Sequence, residues 1–476
     1  MSPSYQTKPR GTNRSWLVLA PFLQGPGLPF ADVLCEQQID EAMAAEGVCF
    51  GECGRAVYTP AITLWAFLSQ VLHAGELRSC TAAVARVIVL LLALERQPCS
   101  ADTAAYCRAR AKLPAAVIRR LAVQVGHQLE ARIPADWLWC GRHVKIGDGS
   151  TLTMPDTAAN QQAYPQQRGQ KPGLGFPILR MVVLLSLATA ALCGMALAPY
   201  RGKQTGETAL LRSLFDLLEP GDVLLGDRHF GSYFLLALGL RRGVDWVARV
   251  HQARHVEVRR GHCIARQDRQ VVWQRPQRPP WMDQATYATI PQTLTLREIL
   301  VEVHVPGFRV KQLVLVTTLT DTRRYPRQAI AQLYRARWGV ELDLRAIKQS
   351  LGMEPLRCQS PDMVHKEIWA HWLAYNLIRK TIAQAALAKG KPPRTISFAA
   401  ARQTIVASWD LLSRSPHALD ALAGVQFRAI ASHQVANRPD RVEPRAVKRR
   451  PKPQRLLNKP RAEARAELLR SRRPGR

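Results

Sequence analysis

Acidic side chains are scarce in this chain of 476 residues: 36 Asp and Glu stand against 67 Lys and Arg, a formal charge of +31 with a pI near 10.5. The field of such a molecule attracts polyanions, and nucleic acid leads the partner classes. With 47% hydrophobic residues the chain is not a disordered one, and its length suits about two to four domains. Other absences narrow the choice further. The apolar stretch "WLVLAPFL" near the start is short, broken by Pro21 and followed by no small-residue cleavage site, which argues against a secretory signal. The ten cysteines are scattered, and the Cys49–Cys53 pair has no second pair at finger-like spacing, so a zinc site is not expected and a reducing cytoplasm is. No Gly-Lys-Ser or Gly-Lys-Thr follows the glycines of "QQRGQKPGLGFP", which excludes a P-loop. No fixed-period repeat is present. One uncharged stretch, Met181 to Ala198, reaches the length of a membrane span. Its Val182, Val183 and Leu184 favour strand, its small residues around Ala188 to Ala191 suit a reversal, and Leu192 to Ala198 can return, so a buried hairpin is the expectation and no membrane partner is.

Residues 1 to about 140 read as helical. In "SADTAAYCRARAKLP" Ser100 is an expected N-cap, Asp102 favours the helix start and Pro114 ends the run. Arg108 and Lys112, four apart, share a face, with Arg110 pointing away, so this helix is assigned to DNA contact. From Arg142 strands and helices alternate, the mark of a mixed α/β domain. A run of short β-like pieces separated by Arg, Pro and Gln then forms a β insertion, and "KQLVLVTTLTD" resumes core-type strand. Regularity fades beyond about Ser408 into a Pro-broken basic tail, expected to be disordered. The resulting division is 1–140 helical and DNA-binding, 141–250 with 311–385 the catalytic core, 251–310 the β insertion, 386–430 a C-terminal helical region and 431–476 the tail.

"YRARWGVELDLRAIK", Tyr334 to Lys348, reads as a four-turn helix, with Gly339 inside it lowering propensity by about 1 kcal/mol. At about 100° per residue, Tyr334, Arg337, Glu341 and Lys348 fall within roughly a sixth of the circumference, beside an apolar stripe of Leu333, Val340, Leu344, Ile347 and Leu351. A solvated charged face is the plain interpretation of such a helix. Two further acids change it. Asp148 follows the apolar "VKI" and Asp227 follows "DVLLG", each where a buried strand emerges; an Asp beside Gly is usually a turn residue when taken singly. Two carboxylates at strand ends and Glu341 on a later helix can converge on two divalent cations, Mg²⁺ or Mn²⁺ by the hardness of oxygen ligands, for phosphodiester displacement. Arg337 and Lys348 would then grip phosphates, and Tyr334 would bond to the backbone or a base.

Tyr334, Arg337, Glu341 and Lys348 fill a Tyr-x2-Arg-x3-Glu-x6-Lys pattern that resembles the signature of the insertion-sequence-four family of DDE transposases. "GDGS" at Asp148 and "GDRHF" at Asp227 are similar to that family's first and second acidic motifs, although His229 stands where relatives often carry a smaller residue. The resemblance covers roughly residues 30 to 430. It implies a ribonuclease H-like catalytic core interrupted by the β insertion, recognition of the element's terminal inverted repeats, end cleavage, transfer of 3′-hydroxyls to target DNA, and a homodimer in the synaptic complex of a cytoplasmic, nucleoid-associated enzyme. A hairpin intermediate is implied by the family alone. No motif places the family's base-flipping aromatic; Trp246, Trp273 and Trp281 are the candidates, with core packing the alternative role for each. The nearest rival, a metal-dependent nuclease or resolvase on the same core, would hydrolyse without strand transfer and leaves the β insertion and the tyrosine signature unexplained. A noncatalytic transposase-derived DNA-binding protein would be favoured by an altered acid, and none of the three is altered. An RNA-binding protein accounts for the charge but not for the acids.

Overall fold

The computed structural model describes residues 15–23, 30, 33–51, 56–251, 261–302, 312–414, 418–435 and 457–471. Its centre is a sheet built from the apolar stretches of the middle of the chain: β1 (Val144–Thr153), β2 (Ile178–Ser186), β3 (Leu192–Pro199), β4 (Val223–Gly226), β5 (Asp245–Arg249), β6 (His262–Ala265), β7 (Asp268–Gln274), β8 (Thr293–Glu302) and β9 (Gln312–Thr317). These nine strands form one mixed sheet in the order β3-β2-β1-β4-β5-β9-β8-β7-β6. β1, β2 and β3 are antiparallel, β4 and β5 run parallel to β1, and β9 returns antiparallel to β5. The uncharged run is the β2–β3 hairpin, its reversal at Leu187–Ala191. β2 is buried on both faces over almost its whole length and β3 over its first half, which is why the run carries no charge and no alternation. The pieces expected as an insertion pair as β6, β7 and β8 along the free edge of β9, so they widen the central sheet. Among the described residues no helix is long and apolar enough to cross a membrane.

Helices cover this sheet. In the N-terminal part, α1 (Pro60–Leu72) starts on Thr59, whose hydroxyl accepts from Ile62 N, and on Pro60 at its first position; α2 (Cys80–Ala93) is capped likewise by Ser79, a side-chain acceptor filling one orphan donor at each start. α3 (Ala104–Lys112) and α4 (Ala115–Ala131) follow. α5 (Glu207–Arg212) and α6 (Tyr233–Arg241) lie between strands, α7 (Arg327–Ala336) and α8 (Gly339–Arg345) follow the sheet, and α9 (Pro361–Leu387), α10 (Phe398–Arg414) and α11 (Ala418–Ser432) complete the body. α9 is 27 residues long, ~40 Å at ~1.5 Å per residue, and is buried from Lys366 to Ala386. It packs on α1, α4, α10 and α11. Asn376 fixes it: Nδ2 donates to Ala122 O of α4 (2.8 Å) and Leu192 O of β3 (3.1 Å), and Oδ1 accepts from Leu192 N (2.8 Å). Among the described residues the larger hydrophobic core runs from Leu17 through the sheet to Ala431, and a second cluster joins α5 and α6 to the sheet through Leu211, Phe234 and Trp246.

Several local expectations are corrected. The helix of "SADTAAYCRARAKLP" begins at Ala104, not at Ser100: Ser100 accepts only from Asp102 N, and Asp102 accepts from Ala104 N, so the two form a turn ahead of the helix. Regularity persists beyond Ser408 through α10 and α11. Within the tail, α12 (Arg461–Ser471) is helical and not disordered; its Ala, Glu, Leu and Arg are strong helix formers, with Glu463 in the first turn and Arg470 in the last, charges that suit the dipole. Residues 436–456 and 472–476 of the expected tail, Cys53 and the polar start 1–14 lie outside the described residues.

Candidate active site

Strand register fixes the two Gly-Asp aspartates. β1 and β4 align Lys145 with Leu224 and Ile146 with Leu225, so Asp148 and Asp227 each stand two positions past a paired residue, at one level on parallel neighbours that lie ~4.8 Å apart. β4 ends at Gly226, and Asp227 Oδ1 accepts from His229 N (2.8 Å) and Phe230 N (3.3 Å). Asp227 therefore makes the turn that an Asp beside Gly usually makes, and it also faces the site, since its charge acts on both Asp148 and Tyr334.

Asp148 is partly buried, and its carboxylate Oδ1 accepts from Gly149 N at 3.0 Å. Burial, followed by the charges of Asp227 and Glu207, lifts its carboxyl from 3.8 to about 6 against the pull of Arg337 and the Gly149 N–H. Glu207, the first residue of α5, went unnoticed in the sequence, where no motif marks it. Gly149 admits it: a Cβ on Gly149 would lie 2.5 Å from Glu207 Cδ and 2.6 Å from Oε1, so any other residue after Asp148 would displace this carboxylate. Arg337 is the cation of the group. It hydrogen-bonds the Tyr334 side chain, lies 5.7 Å from that ring's centroid, and its Nε is buried without a partner among the described residues. Tyr334 is 5% exposed and its hydroxyl is held above the usual phenol range by burial and by Asp227. The tyrosine expected as a DNA contact is thus a wall of the site.

The helix that carries the signature is not continuous. From Arg337 to Glu341 the backbone bonds close at i−3, as in Arg337 N to Tyr334 O and Val340 N to Arg337 O, and Ala346–Ser350 widens into a π-turn. Tightening and widening change the angle per residue, so the four signature residues do not keep the single face that a regular helix would give them. Gly339 sits at the break because a Cβ there would meet Arg394 Nη1 at 2.8 Å. Arg394 and Arg379 both reach the buried Asp343, at 2.8 and 2.7 Å, and hold α8 against α9. Glu341, two residues earlier, is exposed and is not among the groups that bear on Asp148. Lys348 donates to Ser150 Oγ (3.2 Å) and Thr151 O (3.0 Å) and pairs with Glu354 (2.5 Å), which ties the π-turn to β1 just past Asp148.

The structure thus brings together Asp148, Asp227, Arg337 and Tyr334, adds Glu207, attaches Lys348 to the same strand and leaves Glu341 at the surface. Asp148, with Asp227, Glu207 and Arg337 all acting on it, supplies with its acidic neighbours the hard oxygens a divalent cation takes; among the described residues no three His, Cys, Asp or Glu side chains close into a metal-holding group. Arg108 and Lys112 are exposed on α3. Trp246 and Trp273 are buried in the core, Trp273 Nε1 donating to Glu298 (2.8 Å), whereas Trp281 is partly exposed beneath the Arg212 guanidinium, 3.7 Å from its ring centroid.

Residues 139–377, from just ahead of β1 to past Asn376, match the family model described as Transposase DDE domain. The chain is 28% identical over 361 residues to transposase InsG for insertion sequence element IS4 of Escherichia coli (strain K12), a match covering 73% of this chain and 76% of that protein. It is 39% identical over 64 residues to putative transposase y4zB of Sinorhizobium fredii (strain NBRC 101917 / NGR234), covering 13% and 18%. A cryo-EM structure of the piggyBac transposase synaptic complex with hairpin DNA aligns at a TM-score of 0.44 and 12% identity over 90% of this chain and 87% of that one. Because the matched span takes in both Gly-Asp aspartates and the whole signature helix, the chain belongs to the DDE transposases, and within them to the insertion-sequence-four family.

Proposed function

We propose that this transposase binds the terminal inverted repeats of its own element as double-stranded DNA, cuts there and joins the freed 3′-hydroxyls to target DNA, with Asp148, Asp227 and Glu341 as its catalytic acids. The observation that carries the reading is the register that levels Asp148 with Asp227 on parallel strands, with Arg337 beside them. The order β3-β2-β1-β4-β5, three antiparallel strands followed by two parallel ones, supports a ribonuclease H-like core spanning 141–250 and 311–385, with 251–310 inserted in it.

The two aspartates, with Glu341 as the third acid of the signature and Glu207 against Gly149 beside Asp148, would hold Mg²⁺ or Mn²⁺, two ions in this reading, which when bound supply activation of the attacking water or 3′-hydroxyl and stabilisation of the leaving oxygen. The chain's own contributions follow from its charges. Arg337, already beside Asp148, orients a phosphate approaching the carboxylates and offsets its charge. Lys348 fixes the strand that carries Asp148 and exchanges Glu354 for a phosphate when DNA arrives. Arg108 and Lys112 on α3 contact the duplex outside the site. Two ends must be held at once, so the synaptic form is a homodimer, working on the nucleoid in the cytoplasm.

The test incubates purified protein and Mg²⁺ with DNA carrying the element's flanking repeats and sizes the products on a denaturing gel. Strand cuts at the repeat boundary followed by joined products are expected. Hydrolysis with no joined product under any metal would replace the reading with that of a nuclease.

A further inference from the structure

A second basic feature lies away from the carboxylates. Where the N-terminal helices meet the start of α9 there is a cavity of about 500 Å³, bordered by α1, the first turn of α2, α3 and residues 357–360. Arg78, Arg110 and Arg357 line it against one carboxylate, Glu367. That carboxylate is occupied: it accepts from Arg357 N and Cys358 N, each at 2.9 Å. Arg78 is turned inward to Gly352 O and His371. Arg110 is the residue that the sequence turns away from the Arg108–Lys112 face. It stacks 5.2 Å from the Phe67 centroid and 5.6 Å from that of Tyr106, donates to Gln70 Oε1 (3.1 Å) and keeps a buried Nε with no partner among the described residues. Arg357 is exposed, with no side-chain partner among the described residues. The surplus at this cavity is cationic, and it is made of guanidinium groups, whose planar fork suits phosphate oxygens.

We propose that this cavity seats a backbone phosphate of the bound duplex, held by Arg357 at its mouth and Arg110 in its wall. The proposal rests on the DNA-binding part of the reading above and adds a contact that the signature residues do not supply. Its place in the fold supports a duplex over a small anion. Leu356 N donates to Thr153 O at the end of β1 (2.9 Å), so Arg357 follows directly on the strand that carries Asp148. Five residues of strand at ~3.3 Å each separate Asp148 from Thr153, on the order of 17 Å. Duplex DNA offers a phosphate on each strand every ~3.4 Å of its axis. A duplex reacting at Asp148 therefore runs within reach of the cavity about half a turn away. Arg110 joins this seat to the N-terminal helices and Arg357 joins it to the core, so one phosphate would bridge both.

The whole chain is titrated with a short fluorescein-labelled duplex over a salt series, in the absence of metal, as wild type, Arg357→Ala, Arg357→Lys and Lys389→Ala. Lys389 is an exposed cation just past the opposite end of α9 and serves as the control. Loss of one phosphate contact lowers the slope of log K against log salt by about 0.9. That drop is expected for Arg357→Ala, with recovery in Arg357→Lys and none of it in Lys389→Ala. A second readout does not depend on the variants: Cys80 lines the cavity, and bound duplex should slow its alkylation by a maleimide relative to the exposed Cys140. Wild-type slope in Arg357→Ala, with Cys80 unprotected, overturns the cavity assignment while leaving DNA binding in place. Protection of Cys80 by inorganic phosphate at equal phosphate concentration, as strong as by duplex, assigns the cavity to a free anion and overturns it too. A wild type that binds no duplex removes this proposal together with the reading it rests on.

Discussion

Replacing Asp148 by Asn should stabilise the metal-free protein while abolishing its chemistry. The carboxyl is raised from 3.8 to about 6 by burial and by its acidic neighbours, with the attraction of Arg337 already included in the balance. A carboxyl whose folded value lies above its unfolded one binds its proton more tightly in the native state, so its ionised form opposes folding. Below pH ~4 both states are protonated and the residue is neutral to stability. Between ~4 and ~6 the native state holds the proton longer and wild-type stability falls as pH rises; above ~6 the full cost is present. Two pH units at ~1.36 kcal/mol each give about 3 kcal/mol. Asn carries no such cost. Urea unfolding of both proteins in EDTA across this range should therefore show curves that coincide at the acid end and separate by up to about 3 kcal/mol at pH 8, with the variant the more stable. Added Mg²⁺ should then raise the wild type alone, by linkage to the native state. A variant less stable than wild type at pH 8, or a gap that does not change with pH, would refute the account of Asp148 as a strained anion awaiting a cation.

The other expectations concern neighbouring residues. Asp148→Ala, Asp227→Ala and Glu341→Ala should each abolish cleavage and leave gel-shift binding of the ends largely intact; a variant that cuts at near wild-type rate loses its place among the catalytic acids. Glu207→Gln and Glu341→Gln, compared by Mn²⁺ titration followed by electron spin resonance, should show which acid is the third ligand, and Glu207 is expected to matter because it lies against Gly149 beside Asp148; unchanged Mn²⁺ affinity in Glu207→Gln would confine it to packing. Asp343→Ala leaves the buried Arg379 without its carboxylate and should cost roughly 3–5 kcal/mol in urea unfolding, whereas a loss under 1 kcal/mol would mean that the pair does not anchor α8. Arg337→Ala should lower cleavage by the equivalent of about 1–3 kcal/mol at limiting DNA, and normal rates would reduce it to a partner of Tyr334.

Asp227 was legible because it follows an apolar strand that ends at Gly226, and strand emergence is a local signal; Asp148, expected at a strand end, lies instead inside β1 opposite Val183, because β1 runs on to Thr153 in its pairing with β2, and that β1 and β4 are parallel neighbours in one register is a nonlocal fact, visible only in the sheet. The hairpin of Met181 to Ala198 was legible from its small residues at the reversal. The signature helix was legible as helix but not as a broken one, because its break depends on Arg394, far along the chain, filling the space over Gly339. Asp343 escaped notice for the same reason: its cations, Arg379 and Arg394, belong to other elements. Glu207 carries no motif, and only the missing side chain of Gly149 marks its seat. The charges of α9 disguised a buried helix, since Lys366 reaches Ala111 O and Asp362, and Arg379 reaches Asp343, pairings that a helical wheel does not record.

The Asn376 clamp has a consequence for synthesis. α1 and α4 carry apolar faces that find their cover in α9, and roughly 230 residues separate the end of α4 from the start of α9. At about 5–20 residues per second, the ribosome holds those faces uncovered for tens of seconds before the partner helix emerges. A messenger cut short anywhere ahead of α9 would thus yield a chain that aggregates or is degraded instead of a folded fragment able to occupy the element's ends. Truncated copies should be recessive to an intact one in the same cell, and expression of the whole protein should depend on chaperones that shield nascent helices.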